Sequence, residues 1–143
     1  MSIAESISLV RRYIDEVWNQ ANTPAIDQLV AETYRYWLGG QPPRDKAAMK
    51  QFVLAVHAAF PDWKAEIEDI VADGSIVAVR WKGKVTHEGA FHSIPATGKQ
   101  LSVCGINMYK LDDNVITQEW EQMDSLGMLQ QLGVLPSDRQ RTE

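Results

Sequence analysis

Apolar residues in the N-terminal part of the chain recur every third or fourth position, a pattern typical of amphipathic helices. Ser2 and Glu5 have the spacing of a capping box, and the apolar positions after them predict a first helix over residues 3–20. Thr23 precedes a proline and predicts the cap of a short second helix over residues 24–30.

A short strand and a third helix are predicted next. Residues 33–38 are rich in aromatic side chains and predict a strand, and the Gly- and Pro-containing residues 39–43 predict a loop. Asp45 can cap a third helix, whose apolar stripe is stopped by Pro61.

After Pro61 the hydrophobic pattern changes to a period of two, which predicts strands. An Asp-Gly pair and an Asp-Asp-Asn run between the apolar segments predict tight turns. The predicted strands cover residues 63–73, 76–87, 99–111 and 115–124, and a final short helix ends at Gly133.

Helices followed by antiparallel strands indicate an α+β domain. We expect the N-terminal helices to pack on one face of a strongly curved antiparallel sheet, giving a cone-shaped α+β barrel with an interior pocket for a small apolar ligand. The length predicts a single domain over residues 1–143, in which residues 136–143 form a flexible tail.

Composition narrows the range of partners. A net charge of −5 and the absence of a basic stripe argue against nucleic-acid binding. No apolar run is long enough to span a membrane and no signal peptide is recognisable, so neither a membrane partner nor secretion is expected. Cys104 is the only cysteine, which excludes an intrachain disulfide and favours a cytoplasmic protein.

Asp124 is the first candidate for chemistry. Strict alternation along the last strand places it on the same face as Ile116 and Trp120. A carboxylate that faces apolar groups loses hydration, which raises its pKa and suits it to proton transfer. Alternatively, Asp124 caps the helix that follows, although Ser125 can supply that cap equally well.

The second long strand places Trp81 and His87 on its inner face and Arg80 on the opposite one. An inward histidine is more often a structural residue than a catalyst. His87 and His92 form the only close histidine pair, and no cysteine or carboxylate completes a metal-ligand pattern around them, so no metal is expected.

The third long strand alternates Asn107 and Tyr109 with Cys104, and the pattern leaves open which set faces inward. If Asn107 and Tyr109 do, they can hydrogen-bond a ligand. Cys104 has no activating motif, and the chain carries no phosphate- or dinucleotide-binding loop, so no cofactor is expected.

Two segments of the chain resemble one known family. Residues 86–99, THEGAFHSIPATGK, are similar to the T-H-x-G-x-F-x-G-I-P-P-T-G-K segment of the SnoaL-like polyketide cyclases. Residues 120–133 match the family pattern W-x-x-x-D-x-L-G-x-L-Q-Q-L-G. Residues 59–62 and 77–81 fit in type and position, so the resemblance covers roughly residues 5–135.

The resemblance implies a fold of the nuclear transport factor 2-like superfamily and catalysis without a cofactor. Characterised members close the last ring of an anthracycline precursor by intramolecular aldol condensation. The family's acid/base aspartate falls on Asp124, and its pocket histidine and tryptophan fall on His87 and Trp81. Superfamily relatives often pair through their sheets, which implies a homodimer or higher homo-oligomer.

The chain departs from the family on its first strand. A Y-x-x-H-D-P stretch is common there, whereas residues 34–38 read YRYWL and lack both the histidine and the aspartate. Ser93 and Ala96 replace a glycine and a proline of the loop motif, and Asn114 replaces a turn glycine. We expect the aromatic side chains to reshape the pocket mouth, so the substrate need not be a polyketide.

These observations predict acid/base catalysis on a small hydrophobic carbonyl substrate, aromatic or polyketide-like. Asp124 is the predicted base, and His87 or Asn107 the predicted donor to the substrate oxygen. The other predicted substrate contacts are Trp81, Trp120, Tyr109 and Phe91.

Two other functions remain open. Epoxide hydrolysis in the superfamily typically uses two aspartates bridged by an arginine inside the pocket, and Arg80 falls on the wrong face for that role. Double-bond isomerisation, which the superfamily also hosts, is part of the same enzymatic alternative. In a non-catalytic ligand-binding module, Asp124 would be a helix cap alone.

Overall fold

The computed structural model describes residues 1–136, so the predicted tail lies outside the described residues except for Pro136. The helices are α1 (Ile3–Tyr13), which continues as a π-helical segment (Ile14–Asn19), α2 (Pro24–Leu29), α3 (Lys46–Ala59) and α4 (Ser125–Leu132). The strands are β1 (Val30–Leu38), β2 (Glu66–Ala72), β3 (Ile76–Thr86), β4 (Gln100–Asp112) and β5 (Val115–Met123). No described helix has the length and apolar character needed to cross a membrane.

Several predicted helix ends are confirmed by their hydrogen bonds. Ser2 accepts from the Glu5 amide, and Asp45 accepts from the Ala48 amide. Gly133 ends α4 in the left-handed conformation, with φ of 82°. Thr23 occupies the N-cap of α2 and Pro24 follows it, as predicted, but the Thr23 side chain makes no capping hydrogen bond because its own backbone is already helical.

The described strands form a mixed, open sheet in the order β1-β5-β4-β3-β2. The pairs β2–β3, β3–β4 and β4–β5 are antiparallel, as predicted, but β1 runs parallel to β5. The parallel pair arises because β1 comes before the meander and joins it at the far edge, beside the last strand. The helices and the curved sheet form the expected α+β cone.

The inner face of the sheet carries the core. Trp81 on β3 is buried and Arg80 is exposed, as predicted. On β4 the structure resolves the open choice, because Asn107 and Tyr109 face inward and Cys104 is exposed.

A β-bulge in β5 reverses the predicted faces of its second half. Lys110 on β4 pairs with Gln118, but the next residue, Leu111, pairs with Ile116, which leaves Thr117 as an extra residue in β5. Ile116 and Glu119 are therefore both buried although three positions separate them. Strict alternation from Ile116 fails at this point, and the side chains after it lie on the faces opposite to those predicted.

Candidate active site

A cavity of about 180 Å³ opens between the inner face of the sheet, α3 and α4. Much of its wall is aromatic, and the last helix closes one side with Met128, Leu129 and Leu132. Among the described residues, Glu121 is the one acidic side chain in this wall. The aromatic members of the wall are Trp18, Phe52, Phe60, Trp63 and Phe91.

Glu121, the acid in this wall, has a strongly perturbed pKa. It is 5% exposed, and its Oε1 accepts from the Tyr36 hydroxyl at 2.8 Å and from the Asn107 amide at 3.2 Å. Burial, and next the negative charge of Glu119, raise its pKa to about 7, partly offset by the two hydrogen bonds. A carboxyl group with such a pKa can take up and return protons near neutral pH.

Glu119 lies deeper and is fully buried. Its Oε1 accepts from Tyr34 at 2.6 Å, and its Oε2 accepts from Trp18 at 3.1 Å and from Asn107 at 2.9 Å. Burial raises the pKa of Glu119, and these donors oppose the shift because they stabilise the charged form.

Asn107 connects the two acids. Its Nδ2 donates to both glutamates, and its Oδ1 accepts from the Trp81 indole at 2.9 Å. Trp81, Asn107 and Tyr109 line a second, far smaller cavity of about 10 Å³, which Glu121 also borders. Of the predicted substrate contacts, Trp81, Asn107 and Tyr109 therefore adjoin Glu121 but do not line the larger cavity.

His87 is fully buried, as its predicted inward direction requires. Its Nδ1 bonds the Thr97 hydroxyl at 2.9 Å, its ring packs on Phe60 at 5.6 Å, and its Nε2 has no partner among the described residues. It does not line the larger cavity, whereas Phe91, on the loop that follows, does.

The predicted orientations of Asp124 and Trp120 are wrong. Asp124 is exposed on the outer side of the sheet, where its Oδ1 caps α4 by accepting from the Gly127 amide at 2.9 Å. Trp120 stacks on Trp37, with ring centroids 5.5 Å apart. The bulge at Thr117 is the physical reason, because it turns Glu119 and Glu121 inward and their neighbours outward.

Sequence reasoning missed Glu119 and Glu121. A signal was present, because the run Glu119-Trp120-Glu121 places two acids on one face of a strand. Since two acids on a solvent-exposed face are common, this signal did not by itself indicate a site. Tyr34 and Tyr36 lie on the first strand, where the chain lacks the family's histidine and aspartate, and both are buried and donate to these acids. They lie within the hydrogen-bond network, and Leu38 is the β1 residue that lines the cavity.

Trp63 carries a free donor in the same region. It lines both cavities, and its buried Nε1 has no hydrogen-bond partner in the described part of the chain. A buried N–H without a partner is costly, so a ligand that offers an acceptor would be favoured here.

A comparison with protein-family models identifies one family. The model of the SnoaL-like polyketide cyclases matches residues 8–132. A search of curated proteins found no match.

Solved structures with the same fold cover nearly the whole chain. A candidate polyketide cyclase from Acidithiobacillus ferrooxidans is 34% identical, with a TM-score of 0.81 over 94% of this chain and 99% of that one. IdmH, a candidate polyketide cyclase from Streptomyces antibioticus, is 28% identical, with a TM-score of 0.76 over 88% of this chain and 96% of that one. AclR, a candidate hydroxylase from Streptomyces galilaeus, is 24% identical over 95% of this chain and 85% of that one, and its TM-score of 0.84 shows the shared fold. The chain therefore belongs to the SnoaL-like polyketide cyclase family.

Proposed function

We propose that this protein is a cofactor-independent acid/base catalyst that cyclises a compact carbonyl compound, with Glu121 as the base. One observation carries the proposal: a carboxyl group with a pKa of about 7 borders an aromatic cavity. This assignment replaces Asp124, whose exposed carboxylate is occupied as a helix cap.

The two oxygens of Glu121 suit different tasks. Oε1 is held by Tyr36 and Asn107, whereas Oε2 accepts no hydrogen bond from the described residues. An anchored oxygen fixes the direction of the carboxylate, and the other oxygen is left to take the proton of a ligand.

The cavity limits the size of the substrate. An apolar cavity of about 150 Å³ holds one benzene ring, and the cavity here measures about 180 Å³. A substrate of about one ring fits this space, and the aromatic wall, which includes Phe91, favours a flat molecule.

The proposed reaction needs one proton acceptor. Oε2 removes the proton from a carbon between two carbonyl groups, and the resulting enolate carbon attacks the carbon of a third carbonyl group in the same molecule. The alkoxide that forms then takes the proton back from Glu121. The unpartnered indole N–H of Trp63 is a candidate donor to a substrate oxygen.

Two isosteric variants test the proposal. Glu121→Gln removes the base, and kcat/KM for ring closure of compact 1,3-dicarbonyl compounds that carry a further carbonyl group should fall by about 10²- to 10⁴-fold. Asp124→Asn keeps a capping oxygen and should leave kcat/KM within about threefold of wild type. Undiminished turnover in Glu121→Gln would exclude this mechanism.

Epoxide hydrolysis and non-catalytic binding can each be distinguished from this proposal. Arg80 is exposed and pairs with Asp69 and Glu68 on the outer face, which weighs against a buried aspartate–arginine–aspartate site built on it. A non-catalytic binding module would bind the same one-ring compounds in wild type and in Glu121→Gln, and neither protein would turn them over.

The resemblance also leads us to propose a homodimer that forms through the outer face of the sheet. Ile106 and Met108 on β4 are 53% and 44% exposed there. Apolar side chains grouped on one exposed face are typical of interaction surfaces.

A further inference from the structure

Glu119 is an acid that the proposed reaction does not use. It is fully buried and absent from the wall of the larger cavity, so a ligand there does not touch it. A buried carboxylate is costly unless donors surround it. Its contacts with the rest of the site therefore indicate what it does.

The donors around Glu119 favour its charged form. Tyr34, Trp18 and Asn107 together give it three hydrogen bonds, compared with the two that reach Glu121. Because hydrogen bonds to a carboxylate stabilise its charge, Glu119 is the member of the pair better able to stay ionised.

The Asn107 amide can face the two acids in only one way. An indole N–H is a donor and never an acceptor, so the oxygen of Asn107 faces Trp81 and its NH2 group faces the glutamates. Nδ2 then donates to Oε2 of Glu119 at 2.9 Å and to Oε1 of Glu121 at 3.2 Å.

We propose that Glu119 is a positioning residue, which holds the Asn107 amide on Glu121 and keeps a fixed negative charge beside it. The inference rests on the proposed role of Glu121. Through Asn107, Glu119 helps to fix Oε1 of Glu121, so that Oε2 is left for the substrate. Through its charge, it makes Glu121 hold a proton at a higher pH than it otherwise would.

Other groups around Glu121 do not replace this charge. Tyr36 donates to Glu121 from β1, and Arg44, which precedes α3, is the nearby cation and lowers its pKa. Tyr13 on α1 and Tyr109 on β4 have pKa values raised well above 10 by burial, so they stay neutral. Glu119 is thus the negative neighbour that raises the pKa of Glu121.

The test is the pKa of Glu121, measured from its side-chain 13C shift in wild type and in Glu119→Gln. Loss of the neighbouring charge should lower that pKa by about 1 to 2 units, and the acid limb of kcat/KM should move with it. Tyr13→Phe is the matched control, because it removes a buried hydroxyl that bonds Tyr34 at 3.1 Å, one step further away. It should leave the pKa of Glu121 within about 0.3 units of wild type.

A second variant covers the case in which Glu119→Gln does not fold. Glu119→Asp keeps the negative charge but shortens the side chain by one methylene group, which moves the carboxylate away from Asn107. The side-chain amide signals of Asn107 should therefore shift, while the pKa of Glu121 stays raised. An unchanged pKa of Glu121 in folded Glu119→Gln, or unmoved Asn107 signals in Glu119→Asp, would overturn the inference. Neither measurement needs turnover, so the result is independent of whether Glu121→Gln abolishes activity.

Discussion

Glu121 and Asp124 are close in sequence, yet their carboxyl groups lie in different surroundings. Glu121 borders the cavity and its pKa is raised to about 7, whereas Asp124 is exposed and bonded to the start of α4. The same functional group is a candidate base in one place and a helix cap in the other, because burial and the neighbouring charge set its proton affinity.

The raised pKa of Glu121 has a consequence for stability. Its folded-state pKa of about 7 exceeds the unfolded value of 4.5, so the folded state binds more protons between these pH values. The free energy of unfolding should therefore fall as pH rises through this window, by about 3 kcal/mol. In Glu121→Gln the pH dependence should be flatter, with a remainder from Glu119, whose pKa burial also raises, as urea unfolding at pH 5 and pH 8 will show.

Glu88→Gln is the control for this measurement. Glu88 is exposed and its side chain makes no hydrogen bond with the described residues, so this variant should keep the slope of the wild type. An equally steep slope in Glu121→Gln would mean that another group causes it.

At the scale of secondary-structure elements, one extra residue in β5 decides which side chains reach the cavity. The inner face of β3 is predictable, because Val77, Val79 and Trp81 alternate without interruption. In β5 a bulge at Thr117 separates Ile116 from Glu119, and nothing in the local pattern marks it. The inward acids of the candidate site were therefore not predictable from alternation, although the inward direction of Trp81 was. For Asn107 and Tyr109, alternation left open which face they share.

The bulge leads to a prediction about the number of residues in β5. Deletion of Thr117 restores strict alternation from Ile116, so Glu119 and Glu121 should still face inward. The variant loses the bond from the Thr117 hydroxyl to the Lys110 carbonyl and should fold with a loss of about 1–2 kcal/mol. Insertion of an alanine after Gln118 should instead turn both acids outward and prevent folding. Circular dichroism and thermal melts distinguish the two, and an unfolded deletion variant would contradict this account.

The loop over residues 88–98 positions Phe91 and His92 at the cavity through a close contact at Gly89. The Gly89 amide donates to the Ala59 carbonyl at 3.1 Å, and a Cβ at this position would collide with the Ala58 carbonyl oxygen at the end of α3. Gly89→Ala should therefore cost about 1–3 kcal/mol of stability and weaken the binding of one-ring ligands, because the loop must move.

Gly40→Ala is the matched control for Gly89→Ala. A Cβ at Gly40 would meet no atom within 4 Å. Urea unfolding and ligand titration should be measured on both variants. Equal losses of stability and of ligand binding in the two would mean that the contact with α3 does not position the loop.

At the scale of the whole molecule, the order of elements was more predictable than the pairing at the sheet edge. The periodicities and turn signals locate the helices and the meander, and the motifs in residues 86–99 and 120–133 identify the family. The parallel pairing of β1 with β5 was not predictable, because it depends on a long-range contact that no local pattern encodes.

The outer face of the sheet supports the last prediction, which concerns assembly. Trp37, Trp120, Met108 and Ala78 are paired in register across four neighbouring strands, and the exposed Ile106 lies two residues before Met108. A second copy would bury this apolar row, so light scattering at micromolar concentration should give twice the mass of one chain. Ile106→Glu places a charge on this face and should give monomers, since burying an unpaired carboxylate is costly. Leu54→Glu, at a similarly exposed position on α3, should remain dimeric. A wild-type protein with the mass of one chain, or an Ile106→Glu variant with the mass of two, would contradict pairing through this face.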